Sequence, residues 1–321
     1  MSAVDEYHWK SHIWHNRLQS AFLMLIMAAF AYFVGYLLWG SDTLLVLAVM
    51  FAVGIAFSPA FSPKTILRLY GARPLERSEA LPVWRLVEAL AERAGLASAP
   101  DLYYVPSQML NAFSVGNPKH AAIAVTDGLL RTLTLRELAG VLAHEISHIR
   151  SNDLRVMALA DMFSRATSIF SLIGQFLLFV NLPLIMTSHV HINWGAIALL
   201  IFSPTLSVLV QLSLARTREY NADLNAAMLT HDPEGLISAL KKLENQEGGW
   251  LEQLLLPGRR VEVPSLLRTH PPTEERIARL RALEPKLSKE YHLLPAETEN
   301  IHFKESTSAR RPRWHLSGLW H

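Results

Sequence analysis

The chain of 321 residues contains no cysteine. That excludes disulfides, thiolate metal sites and a cysteine nucleophile. Charge is also scarce: Asp, Glu, Lys and Arg make up 18% of the residues, hydrophobic side chains make up 50%, and the formal net charge is +2. A balance so near zero gives no basic footprint for nucleic acid. There is no internal repeat and no low-complexity tract.

The shortage of charge is concentrated in runs. Residues 21–39 and 43–63 carry no charge, and residues 166–215 contain no Asp, Glu, Lys or Arg. A helix needs about 20 apolar residues to cross a bilayer. The runs therefore predict four transmembrane helices in two hairpins, with Thr187–Asn193 turning the second. A cleaved signal peptide does not fit the first run, which is long, begins far from the N-terminus and is followed almost at once by another. All 30 Lys and Arg lie before residue 18, between 64 and 165, or after 215. Neither hairpin turn carries one, so the positive-inside rule places both termini and the basic segments in the cytoplasm, with the chain multi-pass in the cell membrane. Trp9, Trp14, Lys10 and Arg17 suit an interfacial stretch, which accounts better than metal binding for His8, His12 and His15.

Against this apolar background stands VLAHEISHIRSND, residues 141–153. His144 and His148 are four apart, so on a helix they share one face one turn apart, the separation at which two imidazoles grip one zinc ion. Glu145, one residue round, reaches a water on that metal without competing for it. The helix is well announced: Thr134 with Glu137 forms a capping-box signature, and Leu135, Leu138, Leu142, Ile146 and Ile149 recur at helical spacing. Ser151, Asn152 and Asp153 read as a break. A third ligand is expected in ARTREYNADLNAAMLT, residues 215–230. There Glu219 completes a His, His, Glu set, and Asp223, four residues on, is placed to hold the N–H of a ligating histidine. The longer H-E-x-x-H-x-x-G-x-x-H form is excluded by Ser151 and Leu154, and the inverted H-x-x-E-H motif is absent. Flanking charges at Arg136, Glu137, Arg150, Asp153 and Arg155 argue for an aqueous site rather than one inside a span.

The rest of the chain divides accordingly. Residues 1–63 hold an interfacial segment and the first hairpin, and 64–165 a cytoplasmic part carrying the H-E-x-x-H helix. Residues 166–215 form the second hairpin, 216–285 a cytoplasmic part with the third ligand, and 286–321 a tail. Residues 80–96 have helical periodicity ending at a glycine, and helices are expected near 233–247 and 272–284. DLYYV, NAFSVG and AAIAV read as three short strands, with Gly116–Lys119 turning between the last two. These strands form either a plain structural hairpin or an edge to which an extended peptide can be added. The expected fold is a mainly α membrane protein with a zincin-like (gluzincin) α+β cytoplasmic domain and a small antiparallel sheet.

NAFSVG, AVTDGLL, LAHEISHIRSND, REYNAD and THPPTEER occur in that order, with two spans between the ligand pairs. In this the chain resembles the integral-membrane zinc metalloproteases of the HtpX type, relatives of the CAAX prenyl endopeptidases. The resemblance covers about residues 60–285. It implies one zinc ion held by His144, His148 and Glu219, a catalytic Glu145, and Asp223 supporting His144. It also implies membrane-protein or unfolded polypeptide substrates and a role in membrane-protein quality control. In that chemistry Glu145 takes a proton from the attacking water and passes it to the leaving amine. His270, in THPP, is either a donor to the oxyanion or a histidine beside a proline-initiated helix. Two other readings stand beside the protease: a membrane adaptor that binds peptides without cutting, which the intact Glu145 opposes, and a metal carrier, which the lack of acidic residues in the spans opposes.

Overall fold

The protein, in a computed structural model, is described over residues 3–57, 63–187, 194–247 and 273–283. Helix α1 (Ala3–Trp39) ends at Gly40, where φ is +58° and a 3-10 turn, Gly40–Asp42, sends the chain back into α2 (Thr43–Phe57). The later pair of long helices is α7 (Asp153–Thr187) and α8 (Trp194–Thr230), the latter unbroken despite Pro204. A Cβ on Gly35 would come within 2.6 Å of Thr43 Cγ2 and 2.9 Å of the Phe170 ring, so glycine here lets α1, α2 and α7 meet. The Phe51 and Phe163 rings meet at a tilt of 56° with centroids 4.7 Å apart, which brings the returning α2 against α7.

Among the described residues, three segments are long and apolar enough to cross a membrane: Leu18–Val53, Asp153–Pro183 and Trp194–Thr230. The first contains the Gly40–Asp42 turn. Its returning limb α2 has 15 described residues, a rise of about 22 Å against a hydrocarbon core of about 30 Å. Most of the expected turn at Thr187–Asn193 lies outside the described residues, as do His270 and the tail 286–321.

The polar part begins with α3 (Pro63–Leu69), β1 (Arg73–Pro74) and α4 (Leu81–Ala94), which ends at Gly95 with φ +69°. Strands β2 (Asp101–Val105), β3 (Ala112–Asn117) and β4 (His120–Thr126) follow, then α5 (Asp127–Thr132), α6 (Leu135–Ser151), α9 (Pro233–Glu247) and α10 (Thr273–Leu283). The helices expected around 80–96, 233–247 and 272–284 are all present.

The sheet corrects one expectation. Its order is β1-β2-β4-β3, and β2 pairs with β4 in parallel, so the sheet is mixed rather than antiparallel. The cause is the segment 106–111. It carries the chain over the end of β4, so that β3 forms on the far side and the β3–β4 hairpin puts β4 in the middle. That crossing is pinned locally. The Gly128 N–H donates to the Ser107 carbonyl at 2.9 Å and the Asn111 N–H donates to the Thr126 hydroxyl at 3.0 Å. Any side chain at Gly128 would collide with the Gln108 carbonyl.

Helix α6 is the axis of the aqueous core. The Thr134 hydroxyl accepts from the Glu137 N–H, and the Glu137 carboxylate accepts from the Thr134 N–H at 2.8 Å, closing the expected capping box. Leu138, Leu142, Ile146 and Ile149 are fully buried between α4, the sheet, α8 and α9. Gly140 lets α9 approach: a Cβ there would lie 2.8 Å from Leu236 Cα.

Candidate metal centre

The packing of α6 against α8 turns His144, His148 and Glu219 toward one point. Ligand atoms of all three lie within 4.8 Å of one another. His144 Nε2 and His148 Nε2 are 3.1 Å apart, and each lies 3.5 Å from a different oxygen of Glu219. Three corners of a zinc tetrahedron with bonds of about 2.0–2.1 Å would be separated by about 3.3 Å, so the donor set has the size such a cation needs.

The other face of each ring explains why the Nε2 atoms face inward. His148 Nδ1 lies 2.8 Å from Asp153 Oδ2, and His144 Nδ1 lies 3.0 Å from Asp223 Oδ1, the latter at an oblique angle for a hydrogen bond. A carboxylate against Nδ1 favours the tautomer with its proton there, which leaves the Nε2 lone pair free. Two lone pairs 3.1 Å apart, with a carboxylate beside both, are mutually repulsive until a cation or a proton enters. Burial by itself works against charge on His148. The Asp153 and Glu219 carboxylates outweigh it and hold that pKa well above the usual histidine value. His144 is raised in the same way, with burial opposed by Asp223 and Glu219.

Each supporting carboxylate is held by an arginine. The Arg276 guanidinium donates to both oxygens of Asp223 at 2.7 and 2.6 Å, and lies 3.8 Å from Glu219. Arg218 donates to Asp153 Oδ1 at 2.9 Å. Asp223, Asp153 and Arg276 are all buried. Glu145, 9% exposed, follows His144 on α6.

Of the residues singled out in the sequence, the structure groups His144, His148 and Glu219 around one point with Asp223 behind His144, and Glu145 is buried on α6 directly after His144. The sequence reading missed Asp153, Arg218 and Arg276. By sequence Asp153 reads only as part of a helix break. The break is real, with Asn152 in the left-handed region at φ +55°. That kink is what turns Asp153 back onto His148. An acidic residue directly behind a left-handed asparagine, five positions past a ligand, was the signal available.

A buried pair of carboxylate-backed imidazoles on α6 faces a glutamate on α8, a helix whose earlier part is long and apolar, and this defines the class: a metal-binding site of a membrane-associated protein. The family model for Peptidase family M48 matches residues 78–284. A protease HtpX homolog of Desulfatibacillum aliphaticivorans is 34% identical over 283 residues, covering 84% of this chain and 91% of that protein. One from Thermococcus sibiricus is 35% identical over 280 residues, covering 83% and 95%. The crystal structure of S. mikatae Ste24p aligns with a TM-score of 0.44 and 20% identity, covering 84% of this chain and 66% of that one. The chain belongs to Peptidase family M48. It is a metalloprotease, a membrane protein that acts on polypeptides, and the His-His-Glu group is where a metal ion fits.

Proposed function

We propose that the protein is a zinc-dependent endopeptidase of the gluzincin kind. It is held in the cell membrane by four spans in two hairpins, and it cuts membrane proteins at the cytoplasmic surface as part of their quality control. The observation that carries this reading is the convergence of three ligand atoms within 4.8 Å. His144, His148 and Glu219 hold one zinc ion, with Asp223 and Asp153 fixing the two imidazoles. Bound there, zinc supplies Lewis acidity to a water molecule and to a peptide carbonyl. Glu145 is the group that would take a proton from the attacking water and return it to the departing amine nitrogen.

Strand β3 supports a way of presenting the substrate. It packs against α6 and pairs only with β4, which leaves its outer backbone edge without a strand partner among the described residues. An extended peptide added to that edge gains backbone hydrogen bonds and little side-chain selection, so sequence preference is loose. Glu219 lies four residues past Ala215, where the uncharged run ends, on a helix that continues unbroken. That is about 6 Å of rise, so the bond to be cut lies close to the lipid surface. The division of the chain at 63, 165, 215 and 285 into membrane hairpins and cytoplasmic parts follows from the same reading, with both termini in the cytoplasm.

The test is zinc stoichiometry measured together with cleavage of casein. The parent is expected to hold one zinc per chain and to cut. Glu145→Ala is expected to keep the zinc and stop cutting, because Glu145 serves the water and not the metal. Zinc lost along with Glu145, or cleavage that survives its removal, overturns the assignment.

A further inference from the structure

The two imidazoles are supported by different parts of the molecule. His144 leans on Asp223, which is held by Arg276 of α10, so that arm runs entirely through the aqueous part. His148 leans on Asp153, the first residue of α7, and Asp153 is held by Arg218 of α8. The residue after Arg218 is Glu219, whose Oε1 returns to 3.5 Å from His148 Nε2. His148, Asp153, Arg218 and Glu219 thus close a ring through α6, α7 and α8. The ring is shielded: the side chains of Asp153 and Arg218 are 5% and 12% exposed. Just beyond it toward the membrane, Met27, Ala160 and Leu214 pack together where α1, α7 and α8 meet.

We propose that Arg218 and Asp153 are positioning residues that clamp the base of the α7–α8 hairpin onto His148. Contact between the two legs then sets how long the site keeps its metal. This rests on the zinc reading above. Asp153 has two jobs that must be done together. One oxygen faces the imidazole and fixes which nitrogen carries the proton. The other faces a cation on the opposite leg, which fixes where the carboxylate stands. If the legs separate, Asp153 cannot satisfy both, and His148 loses its orientation while His144 keeps its own. A buried carboxylate left without its cation is costly, so the two residues must act as a unit. The Asn152 kink makes the coupling direct, since no flexible segment lies between His148 and the first turn of α7.

The experiment measures the rate at which the purified, zinc-loaded, full-length protein gives up its metal to a chromophoric chelator. Helix content is followed by circular dichroism. Asp153→Asn and Arg218→Gln are each expected to speed metal loss by about 10–100-fold, the usual range for residues that orient a ligand. The double variant is expected to stay within about twofold of the faster single one, because the second change removes a partner already lost. Arg218→Lys, which keeps the cation on a less rigid stem, is expected to recover part of the loss. Asp161→Asn breaks the exposed Asp161–Arg165 pair on the same helix and is expected to behave as the parent. Parental rates in Arg218→Gln, effects that multiply in the double variant, or equal acceleration in Asp161→Asn each overturn the clamp. If one single variant does not fold, the other decides by the same threshold. A parent that takes up no zinc overturns the zinc reading along with the clamp, whereas a loaded parent with unaffected variants overturns the clamp alone.

Discussion

The two halves of α8 obey opposite rules. Between Trp194 and Ser213 the helix buries Ser203 and Ser207 and exposes Phe202, Leu206, Val208 and Leu209. Between Ala215 and Thr230 it buries Ala222, Ala226, Ala227 and Leu229 beside Asp223 and Asn225, against the apolar stripe of α6. In water, apolar area is worth burying at roughly 25 cal/mol per Å², so the apolar side chains go inside: Ala226, Ala227 and Leu229 of α8 share one core with Leu138, Leu142 and Ile146 of α6. In lipid that gain vanishes. Small residues then hold the helices together because they allow close approach. The same exchange recurs on α7, where Ser164, Thr167 and Ser171 are buried and Leu172, Phe176 and Phe179 face outward. On the placement proposed above, the metal centre would stand at the change of solvent, where a helix positioned by lipid packing first meets a core built by the hydrophobic effect.

The largest effect that sharpens this contrast is on the metal. Glu219→Ala should leave the protein with little bound zinc, because one of three protein donors is gone. Leu206→Ala, in the lipid half of the same helix, should leave the zinc content unchanged. Equal zinc in Glu219→Ala and the parent would require a different third ligand, and the division of α8 into two working halves would fail.

Stability comes next. Leu142 is fully buried in the aqueous core, so Leu142→Ala should cost about 2–5 kcal/mol from lost transfer energy and the cavity left behind. Phe176 is 63% exposed on the lipid face of α7, and Phe176→Ala should cost under about 1 kcal/mol despite removing a larger side chain. Denaturation in mixed micelles reads both. A Phe176→Ala penalty as large as that of Leu142→Ala would mean that this face packs against protein.

How far the sequence carried depends on distance along the chain. The α6 helix, its cap and its ligand pair are local patterns, so they were legible from spacing alone. Glu219 was reachable because a His, His set demands a third donor and few acidic residues follow an uncharged run. Arg276 was not, because it meets Asp223 across 53 positions of chain. No local period announces such a meeting. The sheet order failed for the same reason: the β2–β4 pairing skips over β3, and nothing in the three strands records which neighbour each will take. Asp153 lay next to a ligand and was still missed, since its role depends on the left-handed turn at Asn152 rather than on spacing.

A smaller effect follows from the cap of α6. Burial of Glu137 pushes its pKa up, but hydrogen bonds from Lys242, Ser238 and Thr134 outweigh it, and the net shift is downward. A depressed carboxyl contributes stability that is fully present above the unfolded value, near 4.5. That contribution is lost as pH falls through the folded value. The parent should therefore lose stability between neutral pH and the region below that value by more than Glu137→Gln does, with a difference of about 1 kcal/mol, the scale of a lost cap. Identical acid profiles for the two proteins would show that the cap contributes nothing through its charge.

The smallest effect is expected inside the membrane hairpin. The Ser171 hydroxyl donates to the Leu200 carbonyl on α8 and accepts from the Gln175 amide, which lies one turn further along α7. In an apolar medium an unpaired hydroxyl is costly, which suggests at first a large penalty for removing this bond. Two things reduce it. The Leu200 carbonyl also accepts from the Ser203 hydroxyl at 3.1 Å, so it keeps a partner when Ser171 is gone. The separated helices in lipid also find alternative partners, and interhelical side-chain bonds in membranes average about 0.6 kcal/mol as a result. Ser171→Ala should therefore cost well under 1 kcal/mol by that average, with α7 and α8 still in contact through Gly174 and Leu200. Ser171→Leu should cost several times more, since Ser171 is 1% exposed and the added volume must push the helices apart. The check is the unfolding free energy of both variants in the same micelles. A Ser171→Ala penalty above about 2 kcal/mol would put the hydrogen bond, rather than close packing of small residues, in charge of the hairpin.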